Sequence, residues 1–250
     1  MTDDNLQFQR EVERNIQSAG SDESLKADSL AWMLKAGGQH RYSYNFSWLG
    51  RPIIQYPQDI LAMQELVWSI QPDLIIETGI ARGGSLILFA SLLELNAACG
   101  GPADARVVGI DIDIRAHNRE AIEAHPLAKR IDMISGSSIS TEVIEQVRQL
   151  AAGKARVLVS LDSNHTHEHV LAELEAYAPL VTAGSYCVVF DTVIEDTPAE
   201  LQSDRPWGPG NSPKTAVFEY LERHPEFQVD GRMDSKLLIS VAPQGYLKRS

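Results

Sequence analysis

The chain has few cysteines, a shortage of basic residues and no long apolar run. Its 250 residues include two cysteines, Cys99 and Cys187, which give no disulfide framework. The 22 lysines and arginines are outnumbered by 34 acidic residues, and a formal net charge of −12 argues against nucleic-acid binding through phosphates. No apolar stretch approaches a membrane span, and the acidic start Met-Thr-Asp-Asp is unlike a signal peptide. We therefore expect a cytoplasmic protein with no nucleic-acid or membrane partner.

From Pro57 onward, strand-like apolar runs alternate with helical patterns. The predicted strands cover 74–78, 106–110, 131–134, 156–161, 185–190, 226–230 and 237–241, and the predicted helices between the first six cover 84–97, 115–124, 140–151, 167–178 and 213–224. This alternation is typical of parallel βαβ units. The short connection after 226–230, which contains Asp230-Gly231, favours antiparallel pairing of the last two strands. The pattern predicts an open, mostly parallel α/β sheet of seven strands.

Two segments depart from this pattern. Residues 1–56 begin with polar, helix-prone sequence and continue with dense aromatics between Arg41 and Tyr56, which fits either a cap or packing over the sheet. Residues 192–213 form a loop that contains Trp207, and a loop of this length is usually a lid or disordered. We therefore expect an N-terminal helical and cap segment over 1–56, and a domain over 57–245 with a lid loop at 192–213.

The most informative stretch is the glycine-rich turn after the first core strand. The strand carries Glu77 near its end, and glycines follow at 79, 83 and 84 before the next helix begins. This arrangement brings backbone N–H groups and a helix N-terminus to the mouth of a sheet. The spacing is not the dinucleotide pattern, and Glu77 would repel a pyrophosphate. It suits S-adenosylmethionine, which carries ammonium, sulfonium and ribose hydroxyl groups; a turn whose glycines serve only packing is the alternative.

Polar residues follow the next two strands, where an open α/β sheet binds its ligands. Asp111 is placed to accept hydrogen bonds from a ribose diol, or else to cap the following helix. The small residues 135–138 suit an adenine wall or an ordinary turn. The predicted cofactor-binding residues are Glu77, Gly79, Arg82, Gly83, Ser85, Asp111, Ser138 and Asp162.

Two carboxylates, Asp162 and Asp191, follow neighbouring parallel strands and would face one crevice. Such a pair can share a hard divalent cation, most economically Mg²⁺, and without one a raised pKa is expected. His165 lies in the loop above this crevice and can accept a proton from a substrate near neutral pH, unless it is merely a solvated loop residue. A zinc site is disfavoured because His165, His167 and His169 do not share one helix face and no second Cys/His group completes it.

Several motifs resemble those of the cephalosporin hydroxylase-like proteins, a family grouped with rhamnosyl O-methyltransferases and macrolide-sugar methyltransferases. The resemblance spans roughly residues 40–240 and rests on Phe46-Ser47-Trp48-Leu49-Gly50, Tyr56-Pro57-Gln58-Asp59, the turn from Glu77 to Ser85, Gly109-Ile110-Asp111 and Arg205-Pro206-Trp207-Gly208-Pro209-Gly210. It implies a class I S-adenosylmethionine-dependent methyltransferase with a Rossmann-like sheet and helices on both faces. The implied acceptor is a hydroxyl or amino group on a sugar or aminosugar of a small molecule or natural product, and the implied assembly is a homo-oligomer.

Catechol O-methyltransferase is a more distant template for the metal site. There an Asp after the fourth strand and an Asp-Asn pair after the fifth hold Mg²⁺, and a Lys three residues beyond the first Asp is the base. The resemblance implies that Asp162, Asp191 and Thr192 are the metal ligands, and that His165 takes the position of the base beside Asp162. Some family members carry Glu-Asp where this chain has Phe190-Asp191, so one possible carboxylate ligand is missing.

Two other classes of function remain open at this stage. A metal-dependent hydroxylase or hydrolase using Asp162 with His165 and His167 would contain iron or zinc and would not bind S-adenosylmethionine. A non-catalytic assembly subunit would bind the cofactor without turning over any acceptor. A nicotinamide-dependent dehydrogenase is disfavoured by the glycine spacing and by Glu77.

Overall fold

A seven-stranded sheet forms the centre of the molecule in a computed structural model that describes residues 3–250. Its strands are β3 (Leu74–Thr78), β4 (Arg106–Asp111), β5 (Ile131–Ser135), β6 (Val157–Leu161), β7 (Tyr186–Val189), β8 (Phe227–Val229) and β9 (Tyr246–Arg249). Strands β1 (Phe46–Trp48) and β2 (Arg51–Ile53) precede them and form a separate antiparallel hairpin. The sheet order is β5-β4-β3-β6-β7-β9-β8. Strands β3 to β7 are parallel, whereas β9 runs antiparallel to both β7 and β8. The predicted mostly parallel sheet with an antiparallel edge is confirmed.

Helices cover both faces of this sheet, as the sequence predicts. They are α1 (Asp3–Gly20), α2 (Glu23–His40), α3 (Pro57–Ile70), α4 (Gly84–Ala98), α5 (Ala116–Glu123), α6 (Thr141–Ala151), α7 (His167–Tyr177), α8 (Pro213–Arg223) and α9 (Gly231–Leu237). Neighbouring residues of one strand serve different faces: Ile75 packs in the cluster with α3 and α4, and Ile76 packs in the cluster with α6, α7 and α8. A strand buried on both sides must therefore be apolar throughout, which makes β3 easy to recognise in the sequence.

The seventh predicted strand, 237–241, is wrong. Helix α9 ends at Leu237, and Leu238 has a φ of 57°, which an extended strand does not allow. The run is apolar because Leu237 and Val241 pack against the core, so the pattern records burial and not pairing. Strand β9 takes the place between β7 and β8, and the sheet consequently extends four residues past the predicted domain end at 245.

The N-terminal segment folds back over the start of α4 within the same chain. Trp48 on the β1–β2 hairpin donates from Nε1 to Ser91 Oγ at 2.9 Å. The aromatic residues between α2 and β2 pack on one another, with Tyr42 at 5.0 Å between ring centroids from both Trp32 and Phe46. Edge-to-face contacts of this kind anchor an irregular segment without regular hydrogen bonding. The hairpin thereby covers the carboxyl end of the sheet at the glycine-rich turn.

No helix within residues 3–250 is both long enough and apolar enough to cross a bilayer. The strand order reverses between β3 and β6, because the chain runs outward from β3 through β4 and β5 and then crosses to β6. Ligands of open α/β sheets bind outside the carboxyl ends of the strands at such a reversal. The topology therefore places the site above the ends of β3 and β6.

Candidate active site

Close backbone contacts on two sides explain the glycine-rich turn. Gly79 has a φ of 92°, and a Cβ there would lie 2.0 Å from the carbonyl oxygen of Asp162. A Cβ on Gly84 would lie 2.2 Å from the carbonyl oxygen of Pro52 in the N-terminal hairpin. Only glycine fits at either position without moving backbone. The glycines thus serve packing, and the same packing draws the end of β6 and the hairpin around one cavity of about 310 Å³.

Asp111 holds the glycine-rich turn from the end of β4. Its Oδ2 accepts from the backbone N–H groups of Ile80 at 2.9 Å and Ala81 at 3.1 Å, and its Oδ1 accepts from Asp113 N at 2.9 Å. The carboxylate is therefore oriented by backbone donors and does not cap α5. Carboxylate oxygens accept more than one hydrogen bond each, so Asp111 retains acceptor capacity towards the adjoining cavity that it lines.

A second cavity of about 280 Å³ lies on the far side of Gly79. Ser138 is buried in its wall, and the Ser138 hydroxyl lies 3.1 Å from His169 Nε2. Ser163 Oγ lies 3.2 Å from the same nitrogen and donates to the buried Glu173 at 2.7 Å. Small hydroxyl residues and one imidazole thus form one wall of this cavity.

Glu77 is buried beneath the turn and has no cationic partner within residues 3–250. Its side chain is 2% exposed, and burial raises the pKa of Glu77 to about 8, with a smaller contribution from the charge of Asp111 and an opposing hydrogen bond from Ser85. One oxygen, Oε2, has no hydrogen-bond partner among the described residues. The Arg82 side chain does not neutralise Glu77, because Arg82 lies exposed on the turn. Its backbone carbonyl accepts hydrogen bonds from the guanidinium group of Arg51.

Asp162, His165 and Asp191 form one group whose potential ligand atoms all lie within 4.8 Å of one another. His165 Nδ1 is 3.4 Å from Asp191 Oδ2. Burial raises the pKa of Asp162 well above its usual range, and the negative charges of Asp191 and Glu77 raise it further. Two carboxylates this close are stabilised by a shared cation, so the donor set fits a divalent metal.

The structure does not place Thr192 or His167 in this group. Thr192 is buried and its hydroxyl donates to the carbonyl oxygen of Pro243 at 2.7 Å, whereas His165 is the third member of the group with the two carboxylates. The His167 ring lies against α8, with Nδ1 2.8 Å from Thr215 and Nε2 3.0 Å from Glu219. A hydroxylase or hydrolase site built on two histidines therefore lacks its second imidazole.

The segment predicted to be a lid has local order and lines a third cavity of about 500 Å³. It contains 3₁₀ turns at Thr192–Asp196 and Ala199–Gln202, and Glu195 accepts from Gly210 N at 2.9 Å and Ser212 Oγ at 2.6 Å. Trp207 packs edge-on against His165, with ring centroids 4.7 Å apart. The cavity wall combines apolar and aromatic side chains with polar and charged ones, and it has contributions from α2, the aromatic segment and the lid.

Sequence reasoning missed Gln55. This residue follows β2 in the N-terminal segment, is 8% exposed, and donates from Nε2 to Asp162 Oδ2 at 3.1 Å. It belongs to no strand end of the main sheet, which is where ligand-binding residues of this fold class are sought. The only signal was its position beside the Tyr56-Pro57-Gln58-Asp59 motif.

The family model described as Rhamnosyl O-methyltransferase/CmcI matches residues 40–250. The chain belongs to this family. The rhamnosyl O-methyltransferase of Mycobacterium tuberculosis (strain H37Rv) is 31% identical over 197 residues, which cover 77% of this chain and 73% of the relative. The Mycobacterium leprae (strain TN) rhamnosyl O-methyltransferase is 29% identical over 220 residues, covering 84% of this chain and 88% of the relative.

Two solved structures have the same fold as this member of the Rhamnosyl O-methyltransferase/CmcI family. A CmcI Mg–SAM structure aligns with a TM-score of 0.57 at 20% identity, covering 83% of this chain and 77% of the other. A TDP-rhamnose 3′-O-methyltransferase of calicheamicin biosynthesis aligns with a TM-score of 0.50 at 19% identity, covering 85% and 86%. The Rossmann-like class I methyltransferase fold expected from the sequence is confirmed.

Proposed function

We propose that the chain is an S-adenosylmethionine-dependent O-methyltransferase whose acceptor is a hydroxyl group of a sugar-containing small molecule. Family membership and the rhamnosyl O-methyltransferase relatives support this activity. The observation that carries it is geometric: His165 and Asp191 line both the cavity beside the glycine-rich turn and the cavity under the lid. A base and a metal-binding carboxylate thus lie where a cofactor and an acceptor would meet. An amine acceptor is the alternative, and it would need the base more than the metal.

The cofactor site in this proposal follows the cavities around the glycine-rich turn. Asp111 accepts hydrogen bonds from the ribose hydroxyls, and Ser138 lies beside the adenine. The turn from Gly79 to Ser85 holds the methionine portion, with Glu77 beneath it. Arg82 and Gly83 contribute backbone to the same turn. The net negative charge of this region suits a cationic sulfonium ligand.

His165 is the general base in this proposal. An N–H at Nδ1 directed at Asp191 leaves Nε2 with a free lone pair, and His165 borders the acceptor cavity. This nitrogen removes the proton of the acceptor hydroxyl as the oxygen attacks the sulfonium methyl in line. The remaining work of the site is positioning, because the acceptor oxygen must lie ~3 Å from the methyl carbon.

Asp162 and Asp191 would hold the Mg²⁺, with Gln55 fixing one oxygen of Asp162. A divalent cation at this position supplies Lewis acidity that lowers the pKa of a hydroxyl group. Phe190 is buried at the position where some family members carry a further carboxylate. Asp162 and Asp191 would therefore be the two acidic ligands at the metal site.

Chelation of divalent metal should lower methyl transfer by roughly a hundredfold, since Lewis-acid stabilisation is worth several kcal/mol. The assay mixes the protein with S-adenosylmethionine and a rhamnoside that carries an apolar aglycone, and detects the methylated product by mass spectrometry. Mg²⁺ should restore the wild type and not Asp162→Asn. Cofactor binding without turnover on a panel of sugars and aminosugars would favour the assembly-subunit alternative, and hydroxylated or hydrolysed products would contradict the proposal.

The N-terminal segment 1–56 and the lid loop 192–213 enclose the acceptor in this proposal. Trp207→Ala should raise the KM for the acceptor by about two- to tenfold, because an aromatic contact is worth roughly 0.5–1.5 kcal/mol. The affinity for S-adenosylhomocysteine should not change. Trp68, half-exposed on α3, provides a matched control in Trp68→Ala. Equal KM values in the two variants would contradict a role of the lid in acceptor binding.

The oligomeric state and the cellular location of the protein stay predictions. A homo-oligomer would be seen as a mass above that of one chain in light scattering. A cytoplasmic location would be tested by fractionation of the source cells.

A further inference from the structure

Two buried acceptor oxygens near the glycine-rich turn have no hydrogen-bond donor among the described residues. They are Oε1 of Gln55 and Oε2 of Glu77. Both side chains are more than nine-tenths buried, at 8% and 2% exposure. Buried polar atoms in folded proteins are almost always paired, so two unpaired acceptors in one region indicate a missing donor.

The two residues line the same small cavity of about 10 Å³, together with Ser85 and Ser160. Gln55 and Ser85 also line the larger cavity beside the glycine-rich turn, so the small cavity adjoins the cofactor site. Neither lysine, arginine nor histidine is among its lining residues. The Gln55 amide nitrogen is already engaged by Asp162, and the Ser85 hydroxyl is hydrogen-bonded to Glu77. The small cavity therefore offers acceptors and needs a compact donor, preferably a cationic one.

We propose that Gln55 and Glu77 together bind the α-ammonium group of the cofactor's methionine portion, each accepting one of its N–H groups. This inference rests on the proposed use of S-adenosylmethionine. An ammonium group provides three donors and one positive charge, which matches two acceptor oxygens of which one belongs to a carboxyl group. A single ordered water, which provides two donors and no charge, is the competing occupant.

The same amide group joins this ammonium site to the metal site. Gln55 Nε2 donates to Asp162, and Gln55 Oε1 has no donor among the described residues. One side chain therefore orients both the Asp162 carboxyl group and the bound ammonium group. Gln55 lies outside the main sheet, directly after β2. The N-terminal hairpin therefore completes the cofactor site as well as covering it, and Gln55 is a positioning and specificity residue that the strand-end pattern does not reveal.

The test compares S-adenosylhomocysteine with its deamino analogue, in which hydrogen replaces the α-ammonium group, by calorimetric titration. Gln55→Met, which keeps the side-chain length and removes the acceptor, should weaken S-adenosylhomocysteine binding about tenfold or more, because hydrogen bonds to charged groups are the strong ones. The deamino analogue should bind wild type and Gln55→Met equally. Glu77→Gln should show the same selectivity. Gln149→Met, on the exposed side of α6, is the matched control.

An equal loss for both ligands would overturn the proposal, since Gln55 would then act only through Asp162 or the local fold. No loss for either ligand would also overturn it and would assign the small cavity to a water molecule. Thermal unfolding of each variant checks that it folds. If wild type binds neither ligand, the proposed function fails, which is a different outcome from failure of the ammonium site.

Discussion

Replacing His165 with glutamine should lower kcat by about 10²–10⁴-fold, the usual contribution of a positioned general base. Glutamine keeps a polar side chain of similar reach and cannot accept a proton near neutral pH. The affinity for S-adenosylhomocysteine should remain that of wild type, because the cofactor contacts Asp111 and the glycine-rich turn in this account.

His167→Gln is the matched control for this experiment. The His167 ring is held by Thr215 and Glu219 on α8, away from the carboxylate pair, so kcat should change little. Equal losses in the two variants would show that the region is only structurally sensitive. Full activity of His165→Gln would remove the base from the mechanism and leave the metal carboxylates to activate the acceptor.

Glu77→Gln should become more stable relative to wild type as pH rises. In the folded protein burial raises the pKa of Glu77 to about 8, compared with 4.5 for an exposed glutamate. Between these values the folded state keeps a proton that the unfolded state has released, so the free energy of unfolding of wild type falls with pH. The difference between the proteins should grow by at most about 1.4 kcal/mol per pH unit and level off above the folded-state pKa.

Urea unfolding of both proteins at about pH 5 and about pH 8 measures this difference. The buried Asp59, whose pKa burial raises to about 6, and the buried Asp162 are present in both proteins, so their direct contributions to the pH dependence largely cancel. Parallel stability profiles would mean that Glu77 is already charged in the folded protein at neutral pH. A cationic ligand beneath the turn should reduce the pH dependence of wild type, because it stabilises the charged carboxylate.

The strand ends of the sheet were predictable from the sequence because parallel strands buried on both faces are apolar runs with abrupt polar ends. Asp111, Asp162 and Asp191 line the cavities at these strand ends, and Glu77 lines the small cavity that adjoins them. The run 237–241 obeyed the same pattern and is no strand, since packing against the core also demands apolar residues. Apolarity therefore reports burial first and pairing second.

Side-chain direction in the loops was not predictable in the same way. His165 and His167 are two residues apart, yet His165 faces Asp191 and His167 faces α8. The directions differ because His165 lies in the loop, whereas His167 is the first residue of α7, which docks on α8. Thr192 follows a residue with a φ of 57°, and its hydroxyl donates to Pro243 instead of joining the carboxylates. Gln55 enters the site through a hairpin whose docking depends on contacts distant in sequence.

Calorimetric titration with S-adenosylhomocysteine, with and without Mg²⁺, tests the central claim most directly. Wild type should bind in both conditions, and Asp111→Ala should lose roughly a hundredfold in affinity, since it removes charged hydrogen bonds to the ribose and the anchor of the turn. Asp113→Ala, an exposed neighbouring carboxylate, should bind like wild type. If wild type binds S-adenosylhomocysteine neither with nor without Mg²⁺, the assignment of a methyltransferase cofactor site is contradicted. Metal analysis for iron or zinc would then decide between the remaining alternatives.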